Sequence, residues 1–417
     1  MSKNNIPKHW ELKKLGEVCF TTSGGTPNRG NCKFYQGNIP WVKSGELDRG
    51  LILDTEEKIS EEAIKNSSAK VFPKGTLLIA LYGATIGKLA FLGIDAATNQ
   101  AVCGIYKNEN IDSNYLFYFL FYKKPSLVKQ GIGGAQPNIS QGILKNLELP
   151  IPPIAEQQAI VAKIEELLSD LENGKEQLQT AQQQLKVYRQ SLLKWAFEGK
   201  LTNKKIKDGE LPKGWKRVKV SEISNVVRGG SPRPAGDPKF YDGKIPFLKV
   251  RDITKDSGTY LTTFEYTIKE AGLHKTRQIK PNTLLLSNSG ATLGVPKICM
   301  IDATMNDGIA AFLELDQRSN LFLYYFWVSK TRELRNINMG AAQPNLNTDI
   351  IKNYEVPYCS FEEQQLIVDE LESKLTVCDK IEETIIQSLQ QAETLKQSIL
   401  KKAFEGKLVN NLIEKVN

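Results

Sequence analysis

The chain has 417 residues, 41% hydrophobic and 24% charged, the balance of a folded protein of two to four domains. A net charge of +8 favours anionic partners such as nucleic acid. The longest apolar runs, "YLFYFLFY" from Tyr115 and "LFLYYFWV" from Leu321, are shorter than the roughly 18 residues a membrane span needs. The N-terminal residues show neither an apolar signal core nor a cleavage site, so the expectation is a cytoplasmic protein with no membrane partner.

Taken in chain order, residues 1–150 carry frequent glycine and proline punctuation, with short apolar stretches such as "GTLLIALYG" (Gly75 to Gly83) that read as strands ending in turns. The aromatic run at Tyr115 follows "DSN", a helix start, and reads as a buried core helix. Pro152 and Pro153 then block helix. Beyond them, apolar residues recur at alternating spacings of four and three: Ile160, Ile164, Leu167, Leu171, Gly174, Leu178, Ala181, Leu185, Tyr188, Leu192 and Trp195. That period keeps one helix face toward a partner, as in a coiled coil. "AFEGKL" closes the helix, with Gly199 in the left-handed position after its last turn.

From Pro212 the sequence starts again. "PKHWELKKLGEV" matches "PKGWKRVKVSEI", "GGTP" matches "GGSP", "KFYQGNIPWVK" matches "KFYDGKIPFLK", and "GATIG" matches "GATLG". "GAQPNIS", "LKNLELP" and "EQQ" recur in the same order, and "LKWAFEGKL" at Leu193 returns as "LKKAFEGKL" at Leu400. The offset between copies drifts only from 205 to 207, so this is a tandem duplication. The second long helix keeps the seam at Ile367, Leu371, Cys378, Ile381, Ile385, Ala392, Leu395 and Ile399. Each helix of roughly 45 residues would extend about 65–70 Å, with an apolar face that needs cover. Its natural partner is the other helix of the same chain, running antiparallel.

The expected fold is therefore α+β: two similar globular α/β domains at 1–150 and 208–357, separated by helical spacers at 151–207 and 358–417, with an internal pseudo-two-fold repeat. The six cysteines are scattered and none recurs in the other copy, which argues against metal or redox chemistry shared by both. His9 and His274 also lack counterparts and read as surface or satisfied histidines. "GATIGK" has three residues between its glycines and Leu89 after the lysine, so it is a turn and not a phosphate loop.

Two similar modules on a helical spacer suit a long, repetitive ligand such as duplex DNA. The ordered set of motifs from "GGTP" to "AFEGKL", present twice over nearly the whole chain, resembles the specificity subunit of type I restriction–modification systems. The resemblance implies two target-recognition domains, each reading one half of a bipartite double-stranded DNA sequence. It implies two modification subunits that use S-adenosylmethionine to methylate adenine at N6, and restriction subunits that use ATP. No cofactor, catalytic residue or metal ligand is expected in this chain itself.

The duplication also sorts the residues. Side chains that both copies share should be scaffold or phosphate contacts, and base readers should lie where the copies differ beside shared anchors. The diverged candidates are Asn28 and Arg29 against Arg233; Ser44 and Glu46 against Arg251 and Asp252; Leu81 and Tyr82 against Asn288 and Ser289; and Lys88 against Lys297. Each of them also reads as an ordinary solvated loop residue. Lys43 and Lys249 are shared and are the phosphate candidates; Gln136, Asn138, Gln343 and Asn345, also shared, read as loop-fixing. At the start of each long helix, Glu156, Gln157 and Gln158 match Glu363, Gln364 and Gln365. They fit either a docking surface for one modification subunit per copy or simple helix-start chemistry. The alternatives to a DNA reader are a coiled-coil scaffold and an enzyme with a duplicated active site. The scaffold leaves two diverged modules unexplained, and the copies share no recognisable set of acid, base and nucleophile.

Overall fold

In the computed structural model, residues 6–131, 138–203, 205–207, 209–290, 292–337 and 346–409 are described. The chain divides into two compact units, Met1–Leu178 with Gln387–Asn417 and Gln179–Ile386.

In the first unit the strand Glu11–Lys14 pairs antiparallel with Glu148–Ile151, placing Leu12 opposite Pro150. A five-stranded sheet has the order Thr21–Ser23, Val102–Ile105, Leu77–Ala80, Leu89–Leu92, Leu51–Ile52. A four-stranded sheet has the order Glu57–Ile59, Ile39–Val42, Ala96–Thr98, Val71–Phe72. The strand Leu77–Ala80 is buried along its whole length, which explains why it reads as an unbroken apolar run rather than an alternation. Leu77 and Ile79 join a core with helix α1 (Ser113–Gln130), while Leu78 and Ala80 join a second core with Val42, Leu47 and Phe72. Helix α1 is capped by Asp112, whose carboxylate accepts from the backbone N–H groups of Asn114 and Tyr115. The cap is thus the first residue of "DSN".

The long helices are α2 (Ile154–Phe197) and α4 (Phe361–Phe404), each of 44 residues. In the first unit the beginning of α2 lies beside the end of α4: Ile160, Val161 and Ile164 share one core with Leu400, Ala403 and Phe404. Lys175 there pairs with Glu393 at 2.8 Å. Phe404, from the second "AFEGKL", is the aromatic plug of this core, with ring centroids 5.3 Å from Tyr115, 5.4 Å from Phe119 and 5.6 Å from Tyr122. The helix stop is confirmed by Gly199 and Gly406, at φ +74° and +70°. A Cβ on Gly406 would fall 2.3 Å from Pro7 Cγ, and one on Gly199 2.2 Å from Pro212 Cγ. Only glycine fits there.

The second unit repeats this plan: a strand pair Lys216–Lys219 with Glu355–Tyr358, a five-stranded sheet, a four-stranded sheet, and core helix α3 (Asn320–Ile337). Here the end of α2 lies beside the beginning of α4, with Leu185, Leu192, Ala196 and Phe197 in one core with Ile367, Leu371 and Cys378. The helices pair antiparallel in each unit.

The seam departs from the sequence pattern at four places. Tyr188 and Trp195 are 41% and 38% exposed, and Ile381 and Leu395 are 45% and 50% exposed. In α2 the inward positions run Leu185, Arg189, Leu192, Ala196. Arg189 sits where an aromatic was expected and reaches Asp379 at 2.7 Å and Glu382 at 3.0 Å. Spacings of three and four both repeat on a helix face, so period alone cannot choose between these registers.

Candidate nucleic-acid interface

The loop cluster at the edge of the four-stranded sheet holds most of the diverged residues. In the first unit the Arg29 guanidinium lies 4.4 Å from the Tyr35 ring and 5.0 Å from Trp41, and donates to the Glu57 carboxylate. That hydrogen bond holds the Glu57 carboxyl below its ordinary range. Lys43 Nζ donates to Glu56 at 2.9 Å and to Glu57 at 3.0 Å, and these bonds raise its pKa. Arg29, Lys43, Glu56 and Glu57 therefore form a charge-compensated network. Asn28 turns the preceding loop by accepting from Gly30 N–H at 2.9 Å. Ser44 is half-buried, and Tyr82 is exposed on the turn that contains "GAT". Lys88 is tied to Asp48.

The second unit keeps the frame and changes its chemistry. Tyr35 and Tyr241 each donate a hydroxyl hydrogen bond to the carbonyl of a matched proline, Pro27 at 2.6 Å and Pro232 at 2.8 Å. Pairing in the sheet sets Tyr266 at the position of Glu57. Lys249, the counterpart of Lys43, consequently places its ammonium 3.4 Å from the Tyr266 ring centroid, a cation–π contact in place of two carboxylates. Arg251 is 73% exposed and lies 3.5 Å from Glu265; Arg233 is 70% exposed and lies 3.7 Å from Asp307.

Four expected DNA-binding residues are corrected by their burial. Glu46 is 4% exposed, and its two carboxylate oxygens accept from the backbone of Lys43 at 2.7 Å and Glu56 at 3.0 Å. Asp252 is 1% exposed and does the same for Lys249 at 2.8 Å and Glu265 at 3.0 Å. The two differ by a methylene but perform one scaffold task, fixing the lysine loop. Asn288 is wholly buried where the first copy has Leu81, and its amide finds no hydrogen-bond partner among the described residues. Lys297 is buried and bonded to Asp256 and to the carbonyl of Gly258. Gln136, Gln343 and Asn345 lie outside the described residues, while Asn138 forms a backbone bridge with Tyr82.

One pair of loop residues was missed. Thr26 donates to Gln100, and Ser231 donates to Asp307 at the matched position. An amide in one copy thus faces a carboxylate in the other. Comparing "TNQA" with "MNDG" would have revealed the difference, since both follow a strand of the four-stranded sheet.

At the start of the long helices the repeated "EQQ" is partly internal. Glu156 accepts from His9 at 2.9 Å and from Trp10 Nε1 at 3.0 Å. Gln157 is fully buried, accepting from Asp112 N–H at 2.8 Å and donating to the carbonyls of Pro152 and Asn110. Gln364 repeats the donation, to Cys359 at 2.9 Å, and Glu363 accepts from Asn203 at 3.3 Å. Only Gln158 and Gln365 face solvent, the latter donating to Asp369. No described helix is long and apolar enough to cross a membrane.

Comparison with known proteins agrees with this architecture. The family model described as type I restriction modification DNA specificity domain matches residues 7–180 and again 212–391. The specificity subunit of the Escherichia coli type I restriction enzyme EcoBI is 30% identical over 336 residues, covering 75% of this chain and 69% of that protein. The MjaVIII specificity subunit of Methanocaldococcus jannaschii is 25% identical over 428 residues, covering 98% of this chain and 95% of that protein. The crystal structure of the HsdS subunit from Thermoanaerobacter tengcongensis superposes with a TM-score of 0.65 over 96% of this chain and 98% of that one, at 21% identity. Two matched domains in tandem, each with the same sheets and the same helix stop, place the chain in the type I restriction modification DNA specificity family.

Proposed function

We propose that residues 1–150 and 208–357 each read one half of a bipartite double-stranded DNA target. The chain is a specificity subunit: it recognises DNA and directs the chemistry of others. In this reading two modification subunits supply S-adenosylmethionine-dependent methylation of adenine, restriction subunits supply ATP-dependent cleavage, and the assembly works in the cytoplasm. Direct readers would come from Asn28, Arg29, Ser44, Tyr82, Lys88 and Gln100 in one copy and Arg233, Arg251 and Asp307 in the other, with Lys43 and Lys249 toward phosphates. Arginine suits guanine and amide side chains suit adenine.

The observation that carries this is the change of partner beneath one lysine shared by the two copies, two carboxylates in the first and a tyrosine ring in the second. A shared frame that presents different polar groups at matched positions is what two different half-sites require. Gln158 and Gln365 are the exposed members of each helix start and are assigned to contact with one modification subunit apiece.

The test is methylome sequencing of a methylation-free host that expresses this chain with its modification subunit. A bipartite N6-methyladenine motif, absent without this chain, is expected. Replacing residues 1–150 by another module should then change one half-site only. A formed complex that methylates nothing would overturn the reading in favour of a scaffold.

A further inference from the structure

The two units also differ away from the loops assigned to DNA. In the first unit, Phe404 is covered by three rings, the third being Tyr122, nearly parallel to it at 24°. In the second unit the matched ring, Phe197, meets among the described residues only Phe322 and Phe326, at 5.1 and 5.3 Å. The residue in the position of Tyr122 is Ser329, whose hydroxyl is turned back onto the Phe326 carbonyl at 2.6 Å. Its neighbour Val328 stands where the first copy has Phe121. The space the aromatics would fill is an open cleft of about 790 Å³, with Phe197, Val328 and Ser329 among its lining.

The rim changes together with the floor. Arg217, Arg332 and Arg335 line the cleft and, with Lys194 and Lys330, outnumber its carboxylates, Glu198 and Glu355; the first copy's residues matched to the three arginines are Leu12, Pro125 and Val128. Among the described residues neither Arg217 nor Arg332 has an ion-pair partner, while Arg335 Nε donates to the Leu293 carbonyl at 3.0 Å. Three apolar residues have become arginines where two rings have been lost. Such a site suits an occupant that brings both an aromatic ring and negative charge.

We propose that this cleft binds an acidic peptide segment of a partner protein, one per chain, seating a tyrosine or phenylalanine over Phe197 where the first unit seats its own Tyr122. Duplex DNA fits less well: phosphates can meet the arginines, but stacked bases leave the aromatic floor bare. The inference is independent of the DNA reading, because it concerns the second unit alone and a different ligand class.

The full-length chain should be titrated calorimetrically with a synthetic peptide of alternating glutamate and aspartate around one tyrosine. One peptide per chain is expected, and the same peptide with alanine for tyrosine should bind at least tenfold more weakly. Ser329→Tyr, which installs the residue the first unit already carries, should weaken binding at least tenfold. Arg217→Leu, likewise taken from the first unit, should weaken it several-fold even if Ser329→Tyr fails to fold. No peptide binding, or affinity unchanged in both variants, would overturn the proposal. Duplex DNA binding that falls in both variants while the peptide does not bind would assign the cleft to nucleic acid instead.

Discussion

At the scale of single residues, the matched lysines differ most in what they can offer a phosphate. Lys43 is already compensated by Glu56 and Glu57, whereas Lys249 rests on a neutral ring. Lys249→Ala should therefore weaken DNA binding across sequences and lower the slope of log affinity against log salt by about 1; a titration over several salt concentrations measures it. An unchanged slope would remove Lys249 from the phosphate contacts. The capping carboxylates have a different role. Asp252→Ala leaves two backbone N–H groups without their acceptor in a buried site, a loss of about 1–3 kcal/mol, seen as a lower denaturation midpoint. Comparing the two copies could locate these residues but could not sort them. Glu46 and Asp252 look diverged in sequence, yet each oxygen accepts the same backbone donor, and only coordinates reveal that.

At the scale of elements, the core helices and the helix stops were legible, because proline, glycine and the three-four period each act through local sterics. The seam was legible for its existence but not its register. Inward Arg189 and outward Tyr188 invert the hydrophobic expectation, since Asp379 and Glu382 on α4 compensate the charge and no local pattern announces them. Nor did the sequence show that Phe404 plugs the core of the first unit, because that contact joins residues nearly 300 positions apart in the chain. Gly174 is the weak point of the first seam, and a Cβ there would meet nothing within 4 Å. Gly174→Ala should accordingly stabilise the chain by up to about 1 kcal/mol through helix propensity alone. A thermal midpoint that fell would mean that the added methyl disturbs the pairing of α2 with α4.

At the scale of the whole molecule, the duplication makes a demand on any spacer experiment. Lengthening α2 alone by four residues, the simplest test of a helical ruler, would shift its inward residues against α4, because each unit pairs one half of α2 with the opposite half of α4. The insertion must enter both helices, and it must be seven residues so that the three-four alternation is kept. Placed after Leu178 and after Ile386, where the chain divides, it adds about 10.5 Å to each helix, close to three base pairs at roughly 3.4 Å each. The methylated motif of that variant should keep both half-sites and gain about three unread base pairs between them. Methylation of a changed half-site across the original gap would show instead that the helices do not set the spacing. The choice of bases would then depend on the long helices as well as on the loops, and Arg233, Arg251 and Asp307 would lose their standing as sufficient readers of the second half-site.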